Sequence, residues 1–454
     1  MTFGVKSDKC ISEDNPLLNV KIKGEGLKKS IKIGLIGYGT VGKGVAEIFE
    51  AKKDILSEKV GAELVLKKIC DKTFKKKSEI FTPDPEEVLN DPEIEIFVEL
   101  IGGIEPAKRF ILAALERGMD VVTANKNVIS EHFTEILNFA KRKRRRVYFE
   151  ASVCAGIPII AAINEGLCAN KIKKIAGILN GTTNFILTEM SEKQENFKKA
   201  LKTAQEFGFA ESNPSLDIEG IDTASKLAIL SSIIFGSHIK PSDIYIKGIT
   251  DVDVLDIKYG RELGYELKLL AVMDARDDEN GIFLEVSPVF VKKNHPLASV
   301  KGEYNAVFLL SDEAGPLMFY GKGAGSHPAA SAVVSDIVYV ARHRIESSRT
   351  HIPFVELKGK GVKIQDIYEM ESGFYLRFTT VDRPGVLAQI SKILAEYEIS
   401  ISAVLQKEIS SHSPVPIIVL THKAKFGNVL KALEKVDGLS VVKKKTVFYR
   451  IAEV

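Results

Sequence analysis

Asp222 and Lys226 stand four residues apart in the segment GIDTASKLAILSSIIF. On a helix that spacing puts both on one face, where an exposed pair would contribute only about 0.3–0.5 kcal/mol. The remainder of the segment is apolar nearly all round and is predicted to be a buried helix. A buried acid and lysine at its start fit a reaction site better than a surface ion pair. Glu211 and Asp217, just upstream, add two more carboxylates. Such a group could remove a hydroxyl proton while a hydride departs: a lysine whose pKa is lowered by desolvation, positioned by acids, can accept that proton. A second lysine, Lys126, ends the tetrapeptide TANK that opens at Thr123 and follows a predicted strand. There it could polarise a carbonyl or bind a carboxylate, although an exposed loop lysine is more often simply solvated.

A hydride needs a carrier, and Gly37-Tyr38-Gly39-Thr40-Val41-Gly42 offers a place for one. In this GxGxxG run Gly37 allows a tight turn, Gly39 lets the backbone approach a pyrophosphate, and Gly42 lets helix pack on strand. The helix N-terminus favours the anion. The apolar run 31–36 precedes it and a helical stretch follows, which sets it apart from a ligand-free glycine turn. Asp71, at the end of the second predicted strand, could accept hydrogen bonds from the ribose 2′-hydroxyl of NAD. Lys72, Lys75, Lys76 and Lys77 could instead neutralise the extra phosphate of NADP, so the choice between NAD and NADP stays open.

The elements that must position these residues follow an ordered pattern. Strands over 31–36, 64–70, 94–101 and 120–123 alternate with helices, which predicts a doubly wound parallel α/β sheet of Rossmann type. After 147–150 the pattern turns helix-rich to about Phe235, then gives antiparallel strands in YELKLLAVMDA and IFLEVSPVFV, a separate α+β domain. Residues 374–454 read strand, helix, strand, strand, helix, strand, the order of a ferredoxin-like sandwich. The predicted organisation is an N-terminal arm over 1–30, a dinucleotide domain over 31–160, an α+β substrate and dimerisation domain over 161–345, a linker over 346–371, and a small regulatory domain over 372–454.

Composition excludes several classes. Sixty-three basic against 60 acidic residues leave a net charge of +3, which implies no polyanionic partner. The most basic run, KRKRRR at 141–146, could bind nucleic acid but is more simply a solvated helix end favoured by the dipole. Four cysteines without CxxC spacing, and eight scattered histidines, argue against zinc and against a disulfide framework. No secretory signal and no stretch of roughly 20 apolar residues is present, so a cytoplasmic protein without membrane or nucleic-acid partners is expected.

The segments taken together resemble homoserine dehydrogenase. GLIGYGTVGKG, VELIGGIEPA, DVVTANK, EASVCAGIPII, LNGTTNFIL, GFAESNPSLDIEGIDTASKLAIL and FYGKGAGSHPAASAVVSDI carry the likeness over roughly residues 31–345. TTVDRPGVLAQISKILAEYEISI is similar to an ACT domain. The resemblance implies interconversion of homoserine and aspartate 4-semialdehyde with NAD or NADP, in the route to threonine and methionine. It implies that Lys226 transfers the proton, that Lys126 is the other site lysine, and that Glu211, Asp217 and Asp222 hold the substrate's amino group or orient the lysine. Ile101, Gly102, Thr123, Lys126, Gly208, Gly323 and Gly325 would join the glycine loop in meeting the cofactor. A monovalent cation, Na+, would fall on the backbone carbonyls of Glu150, Val153, Ala155 and Ile157, with Cys154 where glycine or alanine is usual. A homodimer or tetramer is implied. Asp382, Arg383, Pro384, Gly385 and Val386 would form an amino-acid effector site at a helix N-terminus, with threonine the leading ligand. Two alternatives are another ACT-bearing dehydrogenase of amino-acid metabolism and a non-catalytic amino-acid sensor. The EGIDTASKL segment argues against the first, and intact Lys126, Asp222 and Lys226 against the second.

Overall fold

The computed structural model describes residues 30–74, 78–275, 281–346, 354–358, 361–407 and 414–453. The expected N-terminal arm and Lys75, Lys76 and Lys77 lie outside the described residues. Apolar runs between glycine turns give strands β1 (Ser30–Ile36), β2 (Glu63–Cys70), β3 (Phe81–Thr82), β4 (Ile94–Glu99), β5 (Asp120–Thr123) and β6 (Val147–Tyr148). All pair in parallel, in the order β3-β2-β1-β4-β5-β6, the doubly wound arrangement expected.

Both faces of this sheet are covered, which is why its strands are nearly continuous apolar runs. Ile31, Ile33, Leu35, Ile96 and Val98 pack with Val45 and Phe49 of the helix Thr40–Ala51. Val333, Ile337 and Val340 of the late helix Ser326–Ile345 join the same core. Phe97 and Val121 face the other way, onto Phe110 and Ile111 of the helix Ala107–Glu116 and Val128 and Phe133 of the helix Lys126–Lys143. The chain thus returns to the first sheet after building the strands up to residue 322 and before those of the C-terminal unit.

The second sheet is mixed. Its strands are β7 (Ile172–Ile178), β8 (Tyr245–Ile246), β9 (Tyr265–Asp274), β10 (Phe283–Lys292), β11 (Tyr304–Ser311), β12 (Pro316–Lys322), β13 (Glu371–Thr380), β14 (Ile401–Gln406), β15 (Val415–Thr421), β16 (Ala424–Lys425) and β17 (Val442–Ile451). They run β12-β11-β7-β9-β10-β17-β13-β15-β14, with β8 on β10 and β16 on β13. The two segments expected to be antiparallel strands are β9 and β10, paired in continuous antiparallel register from Phe283↔Asp274 to Lys292↔Tyr265. The sequence reading missed β7, because its Lys173 and Lys174 interrupt the apolar pattern. Lys174 is nevertheless buried, 3.3 Å from Asp274 on β9.

The C-terminal unit has the expected ferredoxin-like order but shares its sheet with the rest. β10 and β17 pair in parallel through Val289↔Arg450 and Phe290↔Ile451. Beside this seam Tyr375 and Arg377 of β13 reach the buried Asp256 on the helix Val254–Glu262. The described part of the stretch read as a linker is also packed. Phe354 stacks on Tyr148 with ring centroids 4.1 Å apart, Lys358 N–H donates to the Gly236 carbonyl at 2.7 Å, and Ile364 bridges Ile282. Val355 is buried in the main core, and Phe354 and Leu357 pack against it. Among the described residues no helix is long and apolar enough to cross a membrane.

Candidate active site

The glycine loop leaves β1 at the edge where the strand order reverses. Gly37 has φ +105°, and a Cβ there would sit 2.6 Å from the Leu100 carbonyl carbon, so only glycine fits between the ends of β1 and β4. A Cβ on Gly42 would clash with the Gly37 carbonyl, whereas Gly39 and Gly102 look into open space. Gly39 caps the helix Thr40–Ala51 without a side-chain hydrogen bond and with no acidic residue in the first turn. Its N-terminal N–H groups therefore carry neither a capping side chain nor an acidic neighbour in the first turn, the condition under which a helix end favours an anion. Tyr38 and Val41 are partly buried in the same turn, and Thr40 is exposed. The Thr40 carbonyl accepts from the Ser326 hydroxyl at 2.7 Å, tying the returning helix to the loop.

Asp71 accepts Tyr38 N–H at 2.7 Å, Thr73 N–H at 2.9 Å and the Thr73 hydroxyl at 2.7 Å. Burial pushes its carboxyl up, but these donors hold it below the usual range. It both caps a turn and fastens the glycine loop.

The five charged residues singled out first lie on three helices and a loop. Helix Lys126–Lys143 starts at β5, capped by Asn125, whose side chain accepts Val128 N–H at 3.3 Å. Helix Ile221–Phe235 is buried from Asp222 through Ile233, as its apolar circumference requires. Asp222 lies between two ammonium groups. Its Oδ2 accepts from Lys226 Nζ at 2.7 Å, and its Oδ1 pairs with Lys126 Nζ. Lys226 also donates to the Leu179 carbonyl at 2.7 Å. Lys126 keeps 38% of its side chain exposed. Asp217 joins through Asn180, whose amide donates to Asp217 Oδ1 at 2.7 Å and Asp222 Oδ2 at 2.9 Å. Glu211 is exposed on the loop after Phe209, where its carbonyl accepts from Gln205 at 3.1 Å.

One electrostatic expectation is corrected. Burial does pull the Lys226 ammonium down, but the adjacent Asp222 outweighs it and raises the pKa above the ordinary lysine value. Burial works against Asp222 as well, and the two lysines hold it far below the usual carboxylate range. Asp217 is half-buried, and that burial pushes its carboxyl up in spite of the Asn180 amide and the nearby Lys226. The resting site holds an ionised acid flanked by lysines, with Lys226 charged.

Two buried polar residues, one in this network and one at the end of β4, were not singled out in the sequence. Asn180 is the N-cap of the helix Gly181–Lys193, accepting Thr183 N–H at 2.8 Å while its amide holds both acids. An Asn-Gly step opening a helix was the available signal. Glu99 ends β4 fully buried, accepting from the Thr123 hydroxyl at 2.5 Å and Ile101 N–H at 2.8 Å. Its signal was a glutamate closing the largely apolar run IEIFVE.

Of the other glycines, Gly208 has φ +75° in an exposed turn and Gly325 has φ +113° at the start of the helix Ser326–Ile345. Gly323 lies so close to Asn305 that no Cβ could be accommodated. The 150–157 turn carries positive φ at Cys154 (54°) and Ala155 (38°), the conformation glycine would adopt most easily. Within it the Val153 and Ala155 carbonyls accept no hydrogen bond among the described residues, and the Glu150 and Ile157 carbonyls each accept one. The Cys154 thiol is fully buried and pushed up by that burial.

At the far end, Gly385 has φ +86° and caps the helix Val386–Glu396 without a side-chain hydrogen bond; Asp382, Arg383, Pro384 and Gly385 are exposed and Val386 is buried. In the basic run, Lys143 pairs with Glu116 at 2.7 Å and Arg142 lies over the Phe139 ring at 5.3 Å. Arg145 is partly buried, its guanidinium 3.3 Å from where a Cβ on Gly118 would sit.

Comparison with known proteins agrees with this geometry. Residues 37–150 match the family model for the NAD-binding domain of homoserine dehydrogenase, residues 158–338 the homoserine dehydrogenase model, and residues 374–438 the ACT domain. A homoserine dehydrogenase of Neisseria gonorrhoeae is 40% identical over 432 residues, covering 93% of this chain and 99% of that protein. A crystal structure of a homoserine dehydrogenase from Thiobacillus denitrificans superposes with a TM-score of 0.88 at 40% identity, covering 93% and 98% of the two chains. A hyperthermophilic archaeal homoserine dehydrogenase in complex with NADPH is 28% identical with a TM-score of 0.59, covering 68% of this chain and 97% of that one. A nucleotide turn at the sheet's reversal point, two lysines sharing one buried aspartate, and this coverage lead to one conclusion: the chain belongs to the homoserine dehydrogenase family, with a C-terminal ACT domain.

Proposed function

We propose that Lys126, Asp222 and Lys226 are the groups through which this NAD(P)-dependent enzyme interconverts homoserine and aspartate 4-semialdehyde. The observation that carries the reading is Asp222 held between the two lysines. The nicotinamide, when bound on the glycine loop, supplies or takes the hydride. In the reducing direction the aldehyde oxygen needs a proton as the hydride arrives, and the charged Lys226 is able to give one. In the oxidising direction the lysine must first become a base. The substrate's ammonium group, drawn to Asp222, Asp217 and Glu211, would share Asp222 with Lys226. The burial cost of the lysine would remain while its support weakened, and its pKa would fall when it has a proton to accept.

The same reading assigns the cofactor to the glycine loop, Asp71, Ile101, Gly102, Thr123, Lys126, Gly208, Gly323 and Gly325, and divides the chain into the units over 31–160, 161–345 and 372–454. NAD is favoured because Asp71 repels a 2′-phosphate, with NADP tolerated; the NADPH bound by the archaeal relative is in keeping with that tolerance. The free carbonyls of Val153 and Ala155 suit a monovalent cation, which would add only positive charge near Glu150 and order the turn. Threonine is the proposed effector at Asp382–Val386, in a cytoplasmic homodimer or larger assembly.

The test is spectrophotometric, following NAD(P)H formation with homoserine. Lys226→Ala should lower turnover by at least the ~10²-fold typical of general acid–base groups while leaving cofactor affinity nearly unchanged. Lys126→Ala should lower turnover to a similar extent. Near-normal rates in both variants would show that the site lies elsewhere.

A further inference from the structure

Glu99 has no part in the proton chemistry just described, yet it occupies the crossing point of the first domain. In the sheet register it lies beside Ile36, the residue before Gly37, and beside Thr123. Its carboxylate is fully buried, and among the described residues no cation pairs with it. Oε1 accepts Ile101 N–H at 2.8 Å and Oε2 accepts the Thr123 hydroxyl at 2.5 Å. That hydroxyl oxygen accepts Asn125 N–H at 3.0 Å, and the Asn125 amide donates back to the carbonyls of Ile101 at 3.0 Å and Gly103 at 2.7 Å. The bonds close a ring from the end of β4, through the end of β5, to the loop after β4. Asn125 is also the N-cap of the helix whose first residue is Lys126.

We propose that Glu99 is a positioning residue for the dehydrogenase reaction: its ionised carboxylate, acting through Thr123 and Asn125, locks the 100–103 loop and the start of the Lys126 helix into one arrangement at the cofactor edge. The direction of the Thr123 hydroxyl decides this. While Glu99 is ionised, the hydroxyl donates to it and its oxygen is left to accept from Asn125. A proton on Glu99 makes it a donor, the hydroxyl must then turn its hydrogen elsewhere, and the ring loses its single sense. Burial pushes this carboxyl up to about 7, opposed by the bonds from Thr123, Ile101 and Asn125. The charged groups on neighbouring elements are engaged elsewhere. Arg344 of the helix Ser326–Ile345 pairs with Glu95 and Asp120, at the opposite ends of β4 and β5, Asp71 holds Tyr38 and Thr73, and Lys126 pairs with Asp222. Loss of the arrangement on protonation would displace Lys126 and open the wall formed by Ile101 and Gly102.

Full-length Glu99→Gln keeps the shape and removes the titration. Its kcat/KM for cofactor should fall about tenfold at pH 8, and the rise of wild-type kcat/KM through pH ~7 should flatten, with the melting temperature within a few degrees of wild type. Thr123→Val cuts the same ring one bond further on. It should reproduce the loss, and the double variant should be no worse than either single one, because members of one network do not add. An unchanged pH profile in Glu99→Gln would overturn the proposal, even if stability dropped, since it would leave Glu99 a structural residue only. Additive losses in the double variant would overturn it too; if Glu99→Gln does not fold, Thr123→Val alone decides, and an unchanged pH profile in that variant would overturn the proposal.

Discussion

Asp222 and Asp256 are both buried carboxylates that meet a cation from a distant part of the chain, Asp222 with a second from its own helix, yet their partners differ in kind. Asp256 is fully buried and is gripped by one planar guanidinium: Arg377 Nε donates to Oδ1 at 2.5 Å and Nη2 to Oδ2 at 2.8 Å, with the Tyr375 hydroxyl on Oδ1 at 2.9 Å. This bidentate fork fixes distance and angle together and leaves little for a third party to contact. Burial leaves Asp256 above its usual range in spite of Arg377, and Asp256 in turn raises Arg377. Asp222 instead meets two ammonium groups on flexible stems, one of them well exposed. Point charges on long chains can yield to a competing cation. The same pairing of charges thus gives a closed seam at one place and an exchangeable site at the other.

Removing each acid should separate the two uses. Asp256→Ala leaves the buried Arg377 with only the half-exposed Asp253, 3.3 Å from Nη2, and should cost about 3 kcal/mol, the low end for breaking a buried pair, measured by denaturant unfolding. Asp222→Asn should cost much less stability, because Lys126 reaches solvent and Lys226 can shed its proton. Its turnover should nonetheless fall by ~10²-fold or more. If Asp256→Ala were mild in stability and Asp222→Asn mild in activity, the contrast would have no basis.

A third buried acid tests the pH side of the comparison. Glu150 accepts Ile160 N–H at 2.8 Å and Ala161 N–H at 2.7 Å, yet burial pushes its carboxyl up from 4.5 to about 7. Its folded pKa exceeds its unfolded one, so its contribution to stability is fully present below pH ~4.5 and is lost as pH rises through ~7. A shift of that size corresponds to roughly 3 kcal/mol. Asp336, whose carboxylate accepts Glu150 N–H at 2.9 Å and is also pushed up, works in the same direction. Wild type should therefore lose stability between pH 5 and pH 8 in urea titrations, and Glu150→Gln should flatten part of that loss. An unchanged slope in the variant would show that Glu150 does not carry it.

Local features were readable in the sequence, and long-range ones were not. The glycine loop was legible because its spacing states its own geometry, and Asp222 with Lys226 because one helical turn separates them. β7 was lost because Lys174 looks like a surface residue until Asp274 is placed beside it. Asn180 and Glu99 were passed over because their importance depends on partners 24 to 42 residues away. The direction of the Lys226 pKa depended on the balance of burial against a neighbouring charge, which no sequence spacing supplies. The seam was the least legible of all, since Arg377 lies 121 residues from Asp256.

That seam also alters how regulation should be tested. If threonine binds at Asp382–Val386, its effect must cross from the ACT unit to the catalytic helices, and the route on view is Arg377 and Tyr375 to Asp256, with β17 on β10 beside it. The helix carrying Asp256 also sends Arg261 to the Ser191 carbonyl at 2.9 Å, on the helix that Asn180 caps beside Asp222. Deleting the chain from Ser372 onward would strip β17 from β10 and unpair Asp256, so loss of threonine response in such a truncation would not separate signalling from damage. Arg377→Lys is a sharper probe, because it keeps the charge but replaces the planar fork with a point charge of the kind found at Asp222. An effector coupling of about 1–3 kcal/mol, or roughly 5–150-fold in affinity, should shrink toward one in this variant, while turnover without threonine stays within about twofold of wild type. Inhibition titrations on both full-length proteins, with calorimetry for threonine binding, provide the measurement. Retained binding with lost inhibition would assign the coupling to the Arg377 fork, whereas undiminished inhibition would move it to the β10–β17 pairing.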